Sequence, residues 1–278
     1  VASETATPIA FYNDGDAKFP ILPCAIGTTC GQCLLDTGAM KSQISNHPDF
    51  LHYRVLESGT NRSAFGALKV DVIRIPILSI GDQFHRKDLD LVRSVEVKAA
   101  PNYLGIIGAD IMAGTDFIFR VIGRKRDLTA ELFLEPPPQS HLAETFVHFS
   151  PLPAPGPFIE IPVQVGDLTV RAMWDTHAQT SVFTKSFIAK HPQLFRQIDE
   201  EMSFDIQDQK GIFKIYKVLV NVCVIDFCER PGFVVSDFGL SLPSKSGEAI
   251  DVIIGTDWIY KYAWYFDYTN QRFAMAKR

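Results

Sequence analysis

The sequence has no apolar run approaching the roughly 20 residues that span a bilayer. Its first ten residues, VASETATPIA, place no basic segment ahead of an apolar one and do not read as a signal peptide. The chain therefore reads as soluble, with no membrane partner. Surplus positive charge is missing too: 27 Lys and Arg stand against 32 Asp and Glu, a formal net charge of −5. Nothing in that balance recruits nucleic acid. Cysteine is sparse and odd in number, so the five cannot all pair within one chain. Cys30-Gly31-Gln32-Cys33 has the spacing of a redox motif or a zinc half-site, yet no second CxxC and no His cluster completes it, and no metal or other cofactor is expected. Cys223 and Cys228, in NVCVIDFCERPG, fit either a bridge or buried strand thiols. GxxxxGK[ST], GxGxxG after a strand, HExxH and GxSxG are all absent, so P-loop, dinucleotide, zinc-peptidase and serine-hydrolase chemistry have no motif to stand on. Because the sequence begins at Val1 rather than Met, an upstream stretch removed by processing or truncation is expected; a secreted or periplasmic origin follows only if that stretch was a signal or pro-segment, and the compartment is otherwise left open.

What is present is ordinary globular composition, 46% apolar and 21% charged, in 278 residues, a length that suits two domains. Residues 135–157, EPPPQSHLAETFVHFSPLPAPGP, hold seven prolines and read as an extended connector. The expected division is residues 1–134, the connector 135–157, and residues 158–278. The two flanking parts resemble each other. Setting LPCAIGTTCGQCLLDTGA from Leu22 above IPVQVGDLTVRAMWDTHA from Ile161, with a constant shift of 139, brings Pro23 onto Pro162, Gly27 onto Gly166, Asp36-Thr37 onto Asp175-Thr176 and Ala39 onto Ala178. Further on, NHPDF at 46–50 answers KHPQLF at 190–195, and IIGADIM at 106–112 answers IIGTDWI at 253–259. Phe119 and Phe266 each follow the Gly of that second motif by 11 residues. This is the pattern of a gene duplication.

Both halves read as β-rich. LKVDVIRIPILSIGD at 68–82 alternates apolar and polar residues and ends on Gly-Asp, as a half-buried strand and turn would. GIFKIYKVLVNVCVIDF at 211–227 and YAWYFDYTNQRFAMA at 262–276 are aromatic and β-branched, the second interrupted by a Thr-Asn turn. Short helices are expected within 184–195 and just after Asp110 or Asp257. The basic run GRKRD at 123–127 reads as a solvated hairpin turn.

Two Asp-Thr pairs at equivalent points of a duplicated domain suggest a chemistry. Each ends an apolar strand, and a pseudo-twofold arrangement would bring Asp36 and Asp175 together. Carboxylates about 3 Å apart cannot both ionise cheaply, so they share a proton and titrate as a coupled pair. The ionised member can take a proton from a water while the protonated member hydrogen-bonds a substrate carbonyl. Such a site needs no metal.

LLDTGA with IIGAD, and MWDTHA with IIGTDWI, resemble the paired signatures of the pepsin/retropepsin superfamily of aspartic peptidases. DTGA and IIGTDW look closer to the retropepsin branch, whereas two tandem halves in one chain and the tail YKYAWYFDYTNQRFAMA resemble pepsin. The resemblance implies an all-β fold of two pseudo-twofold-related, barrel-like lobes with few short helices. It implies Asp36 and Asp175 as the catalytic dyad, supported by Thr37, Gly38, Thr176 and His177, with the two Thr hydroxyls cross-linking the active-site loops. Ile107-Gly108 and Ile254-Gly255 match the segment that packs behind those loops. It also implies a flap over a peptide or protein substrate, best matched by SGTNRSAFGA at 58–67, with Gly59, Phe65 and Gly66 as flap or substrate-binding residues, and a second, smaller flap around 205–211. Trp174 reads as a core residue beside the dyad. One chain supplies two Asp, so a monomer is expected.

One residue departs from the family's pattern, which has Gly where the second half has His177. With negative φ, His177 can keep its backbone N–H on the carboxylate and direct its ring elsewhere; with positive φ, strain of roughly 1–3 kcal/mol must be absorbed. Two activities follow: an aspartic endopeptidase, or a catalytically inactive homologue that binds a peptide or protein partner in the cleft between lobes.

Overall fold

Val70, Ile73, Ile75, Leu78 and Ile80 turn inward while Arg74 and Pro76 face solvent. That alternation buries one face of an extended segment, and it recurs through most of the molecule. The computed structural model describes residues 5–14, 17–63, 66–82, 84–94, 102–123, 128–136, 143–206, 209–230, 232–236 and 250–278. Among them, regular structure is overwhelmingly strand, with three α-helices of one or two turns.

The first half contains β1 (Thr7–Asp14), β2 (Ala17–Ile26), β3 (Thr29–Leu35), β4 (Gln43–Ile44), β5 (Val55–Ser63), β6 (Gly66–Ile80), β7 (Phe84–Ser94) and β8 (Tyr103–Ile107). Helix α1 (Ala109–Met112) and the hairpin β9 (Phe117–Ile122) and β10 (Thr129–Leu134) complete it. The Pro-rich stretch that follows is partly structured: Ala143–Thr145 form a 3-10 turn and Phe149–Pro151 form β11. The second half contains β12 (Glu160–Val165), β13 (Leu168–Trp174), β14 (Val182–Thr184), α2 (Lys185–Lys190), β15 (Phe195–Ile206), β16 (Gln209–Val218), β17 (Val222–Val224), β18 (Phe227–Glu229), β19 (Gly232–Ser236) and β20 (Val252–Ile254). It ends with α3 (Thr256–Ile259), β21 (Tyr262–Asp267) and β22 (Arg272–Lys277).

The short helices fall where the sequence places them. Thr184 caps α2 by accepting the Phe187 N–H, and Pro192, which cannot continue an α-helix, opens the next 3-10 turn. The expected turn between β21 and β22 is also in place at residues 268–271.

The two halves repeat one strand order. In the first, β2-β3-β8-β4-β7-β6-β5 run side by side; in the second, β12-β13-β20-β14-β19-β16-β15 do the same. Directions match as well: β3 is parallel to β8 and β13 to β20, while β4 and β14 run antiparallel to those partners. The far end of β6 curls back onto β2, opposing Cys24 to Ile80, and β17 takes the same place on β12, opposing Gln164 to Cys223. Two disulfides lie in these ladders, Cys24–Cys33 joining β2 to β3 and Cys223–Cys228 crossing β17 and β18. Cys30 is free and exposed, so the CxxC spacing is not used as a pair.

The C-terminal hairpin leaves its own half. β21 pairs with β9, opposing Phe266 to Phe117 and Trp264 to Phe119, and so β21 and β22 belong to the 13-stranded sheet built on the first half. Trp174, fully buried, packs at this junction against Phe117, Phe119, Trp264 and Phe266, with ring centroids 5.2–5.9 Å away. Trp174 is therefore a core residue directly beneath Asp175. Among the described residues, no helix is long and apolar enough to cross a membrane.

Candidate active site

Asp36 and Asp175 each stand one residue beyond a buried strand, β3 and β13. In both halves the Asp backbone N–H extends the parallel ladder, to Ile107 O at 3.0 Å and to Ile254 O at 2.9 Å. The chain then turns sharply, and the turn points its own donors at the carboxylate. Asp36 Oδ1 accepts from the N–H of Gly38 (3.0 Å) and of Ala39 (3.1 Å); Asp175 Oδ1 accepts from His177 (2.8 Å) and Ala178 (3.2 Å). Asp-Thr suits this position because a short carboxylate side chain bonds its own backbone two and three residues on.

The two turns are locked to each other. Thr37 Oγ1 donates to Trp174 O at 2.7 Å and accepts from the Thr176 N–H at 3.0 Å. Reciprocally, Thr176 Oγ1 donates to Leu35 O at 2.7 Å and accepts from the Thr37 N–H at 3.2 Å. Both threonines are completely buried, so each hydroxyl satisfies one carbonyl and one amide of the opposite half that would otherwise be left without partners.

A second duplicated brace lies behind each turn, and it includes two residues that motif reading passes over. Ser42 Oγ donates to Asp110 Oδ1 (2.6 Å) and accepts from the Gly108 N–H (2.9 Å); Ser181 Oγ donates to Asp257 Oδ1 (2.7 Å) and accepts from the Gly255 N–H (3.0 Å). Ser42 and Ser181 are related by the same shift of 139 residues, which is the signal that identifies them. Gly108 and Gly255 have ordinary negative φ. They are small because of crowding: a Cβ would lie 2.6 Å from Ala39 O or from Ala178 O.

Burial dominates the electrostatics. It raises the Asp36 carboxyl to about 6, opposed by the Ala39 and Gly38 amides. It raises Asp175 to about 6 as well, where the Asp36 charge pushes the same way and the His177 amide opposes it. Two buried carboxyls whose charges interact do not ionise independently.

The two turns differ at their third residue. A Cβ on Gly38 would sit 2.5 Å from Asp175 Cγ, so no side chain fits there. His177 is not among the residues with positive φ, and its N–H stays on Asp175 Oδ1. Its ring turns toward the first half and stacks on Phe19 of β2, centroids 4.2 Å apart and planes at 24°, with Nδ1 4.0 Å from Asp36 Oδ2. Burial holds this imidazole below its usual 6.5, against the pull of Asp175. The same hairpin is fastened to the second half by Tyr260, whose hydroxyl donates to Lys18 O at 2.9 Å and whose ring meets Phe11.

Asp36, Thr37, Gly38, Asp175, Thr176 and His177 are thus one cluster. Gly59 and Gly66 lie on the β5–β6 hairpin, the last pair in the sheet order. Gly59 has open space where a Cβ would project. Phe65 lies outside the described residues, as do 207 and 208 within the second hairpin β15–β16 and 124–127 of the basic run. A 470 Å³ cavity between Thr115, Glu135, Phe149, Tyr265 and Arg272 contains none of the dyad residues. Among the described residues no group of His, Cys, Asp and Glu is arranged to hold a metal ion. No protein-family model matches the chain, and no curated protein matches it.

Proposed function

We propose that the chain is an aspartic endopeptidase of the pepsin/retropepsin type, with two related β lobes and one active site between them. The repeated strand order supports the two-lobed fold. The observation that carries the activity is the pair of Asp turns cross-linked by Thr37 and Thr176, each holding a buried carboxyl whose pKa is raised. A carboxyl that is half-protonated near pH 6 can serve as acid or base in mildly acidic solution. In this reading a water bound between Asp36 and Asp175 attacks the peptide carbonyl, a tetrahedral diol forms, and the leaving nitrogen collects a proton without any covalent enzyme intermediate. The substrate is an extended peptide or unfolded protein with apolar side chains beside the scissile bond, and a monomer suffices. Two disulfides fit an oxidising compartment.

Cleavage of an unfolded protein across acid to neutral pH tests the reading. Cleavage by the native chain that disappears in both Asp36→Asn and Asp175→Asn is expected; cleavage that survives both substitutions overturns it. His177 in place of glycine favours a second reading, an inactive homologue that binds peptide in the same cleft. Tight peptide binding with no cleavage by any of the three proteins would select it.

A further inference from the structure

His177 occupies the one position at the dyad where the two turns are not equivalent. We propose that His177 is a third catalytic residue, whose imidazole, seated on Phe19, accepts through Nδ1 a hydrogen bond from the water that Asp36 deprotonates. The proposal rests on the endopeptidase reading.

The geometry leads there in three steps. Nδ1 and Asp36 Oδ2 are 4.0 Å apart, too far for a direct hydrogen bond, but two bonds of about 2.8 Å to one shared oxygen span that gap at an angle near 90°. The ring is held in register: Phe19, itself buried, backs one face, and Tyr260 ties the β2 strand behind it to the second half. The ring also remains open to an incoming molecule, with its side chain 40% exposed where Thr37 and Thr176 are closed to solvent.

A side chain fits on only one of the two turns, because a Cβ at Gly38 would collide with the Asp175 carboxylate. The ring therefore reaches across to Asp36 Oδ2 with Nδ1, while Asp175, on its own turn, acts on it through charge. This asymmetry assigns the base to Asp36 and the acid to Asp175. Asp36 takes one proton of the water as its oxygen bonds to the carbonyl carbon; the carbonyl π pair moves to oxygen, which takes the proton of Asp175. In the collapse, the C–N bond breaks, nitrogen takes the proton from Asp36, and a diol hydroxyl returns one to Asp175. His177 gains no proton. With its own proton on Nε2, it holds the water's second O–H in place until attack.

Protonating the ring turns Nδ1 from acceptor to donor and ends this role. The titratable groups around the ring are Asp175 on its own turn, Asp36 opposite, Lys18 on β2 and Tyr260 after α3; the Tyr260 hydroxyl is committed to Lys18 O and burial keeps it protonated. Loss of the acceptor therefore falls on the acid side of the pH profile.

Imidazole nitrogen NMR of the full chain, with kinetics of His177→Gly and Phe19→Leu, tests the proposal. The neutral ring is expected as the Nε2–H tautomer. His177→Gly should lower kcat about tenfold with KM within twofold, and move the acid limb of kcat/KM to lower pH. Phe19→Leu should lower kcat by less and leave that limb in place. An Nδ1–H tautomer, or a His177→Gly variant with undiminished kcat and an unmoved acid limb, overturns the proposal. If Asp36→Asn and Asp175→Asn abolish cleavage while His177→Gly does not reduce it, only the role of His177 fails. If the native chain does not cleave, or cleaves equally without both Asp, the endopeptidase reading fails and takes this one with it.

Discussion

Thr37 and Thr176 show how much of a fold one atom can hold. Each hydroxyl satisfies a buried carbonyl and a buried amide of the other half. Thr37→Val keeps the shape but orphans Trp174 O and the Thr176 N–H, at about 2–4 kcal/mol in urea unfolding; Thr37→Ser, which retains the hydroxyl, should cost less than about 1.5 kcal/mol. A Val variant as stable as the Ser variant would show that the cross-link contributes packing alone. The dyad makes the opposite contribution at neutral pH. Both carboxyls rise from the ordinary 3.8 to about 6 on folding, so the folded state binds protons more tightly than the unfolded one. That stabilisation is full below about pH 3.8 and is lost as pH rises through about 6. Asp175→Asn removes the buried charge, so its unfolding free energy should exceed that of the native chain by an amount that grows between about pH 4 and pH 7, reaching roughly 1–3 kcal/mol. Asp71, which its hydrogen bond to Arg93 holds below the usual carboxylate range, shifts both proteins alike and cancels in the difference. A difference independent of pH would contradict the raised pair.

At the scale of elements, each Asp-Thr turn is a strand end clamped from behind. A Cβ at Gly255 would press 2.6 Å from Ala178 O and 2.8 Å from Thr180 C, both backbone atoms that cannot swing aside. Gly255→Ala should therefore destabilise by about 2 kcal/mol or more, and Gly108→Ala similarly, through overpacking; wild-type midpoints in denaturant would refute the clamp. Much of this element was legible in advance. The shift of 139 residues aligned the two Asp-Thr turns, and the IIG motifs marked the clamping segment. Ser42 and Ser181 obey the same shift, but they sit in stretches, KSQIS and TSVFT, whose other residues differ, so no shared motif marks them. Cysteine pairing was not legible. Cys33 meets Cys24 because antiparallel β2 and β3 bring them together across a turn, whereas the nearer Cys30 points to solvent. Spacing along the chain does not say which face of a strand a thiol occupies.

For the whole molecule, the junction between halves decides cooperativity. Trp174 fills a ring of four aromatics drawn from both halves, and its Nε1 has no hydrogen-bond partner among the described residues. Trp174→Ala should cost about 3–5 kcal/mol and leave a single unfolding transition, since β21, from the second half, pairs with β9 inside the first half's sheet. Trp174→Phe, which deletes an unsatisfied N–H, should cost markedly less. Two separate calorimetric transitions in the Ala variant would show that the halves fold independently. Two halves are legible in the repeated motifs, but not the exchange in which β21 and β22 join the first half's sheet, nor the bond from Tyr260 to Lys18 O across 242 residues. Such contacts depend on how two finished sheets pack, and no local pattern encodes them. The dyad is the product of that packing. Its most direct test is kcat/KM for an unfolded protein substrate with Asp36→Asn, Asp175→Asn and the double variant. If the two carboxyls form one catalytic unit, each single change abolishes cleavage by roughly a thousandfold or more and the double variant is no worse than either. Substantial cleavage by either single variant, or losses that multiply in the double, would contradict it.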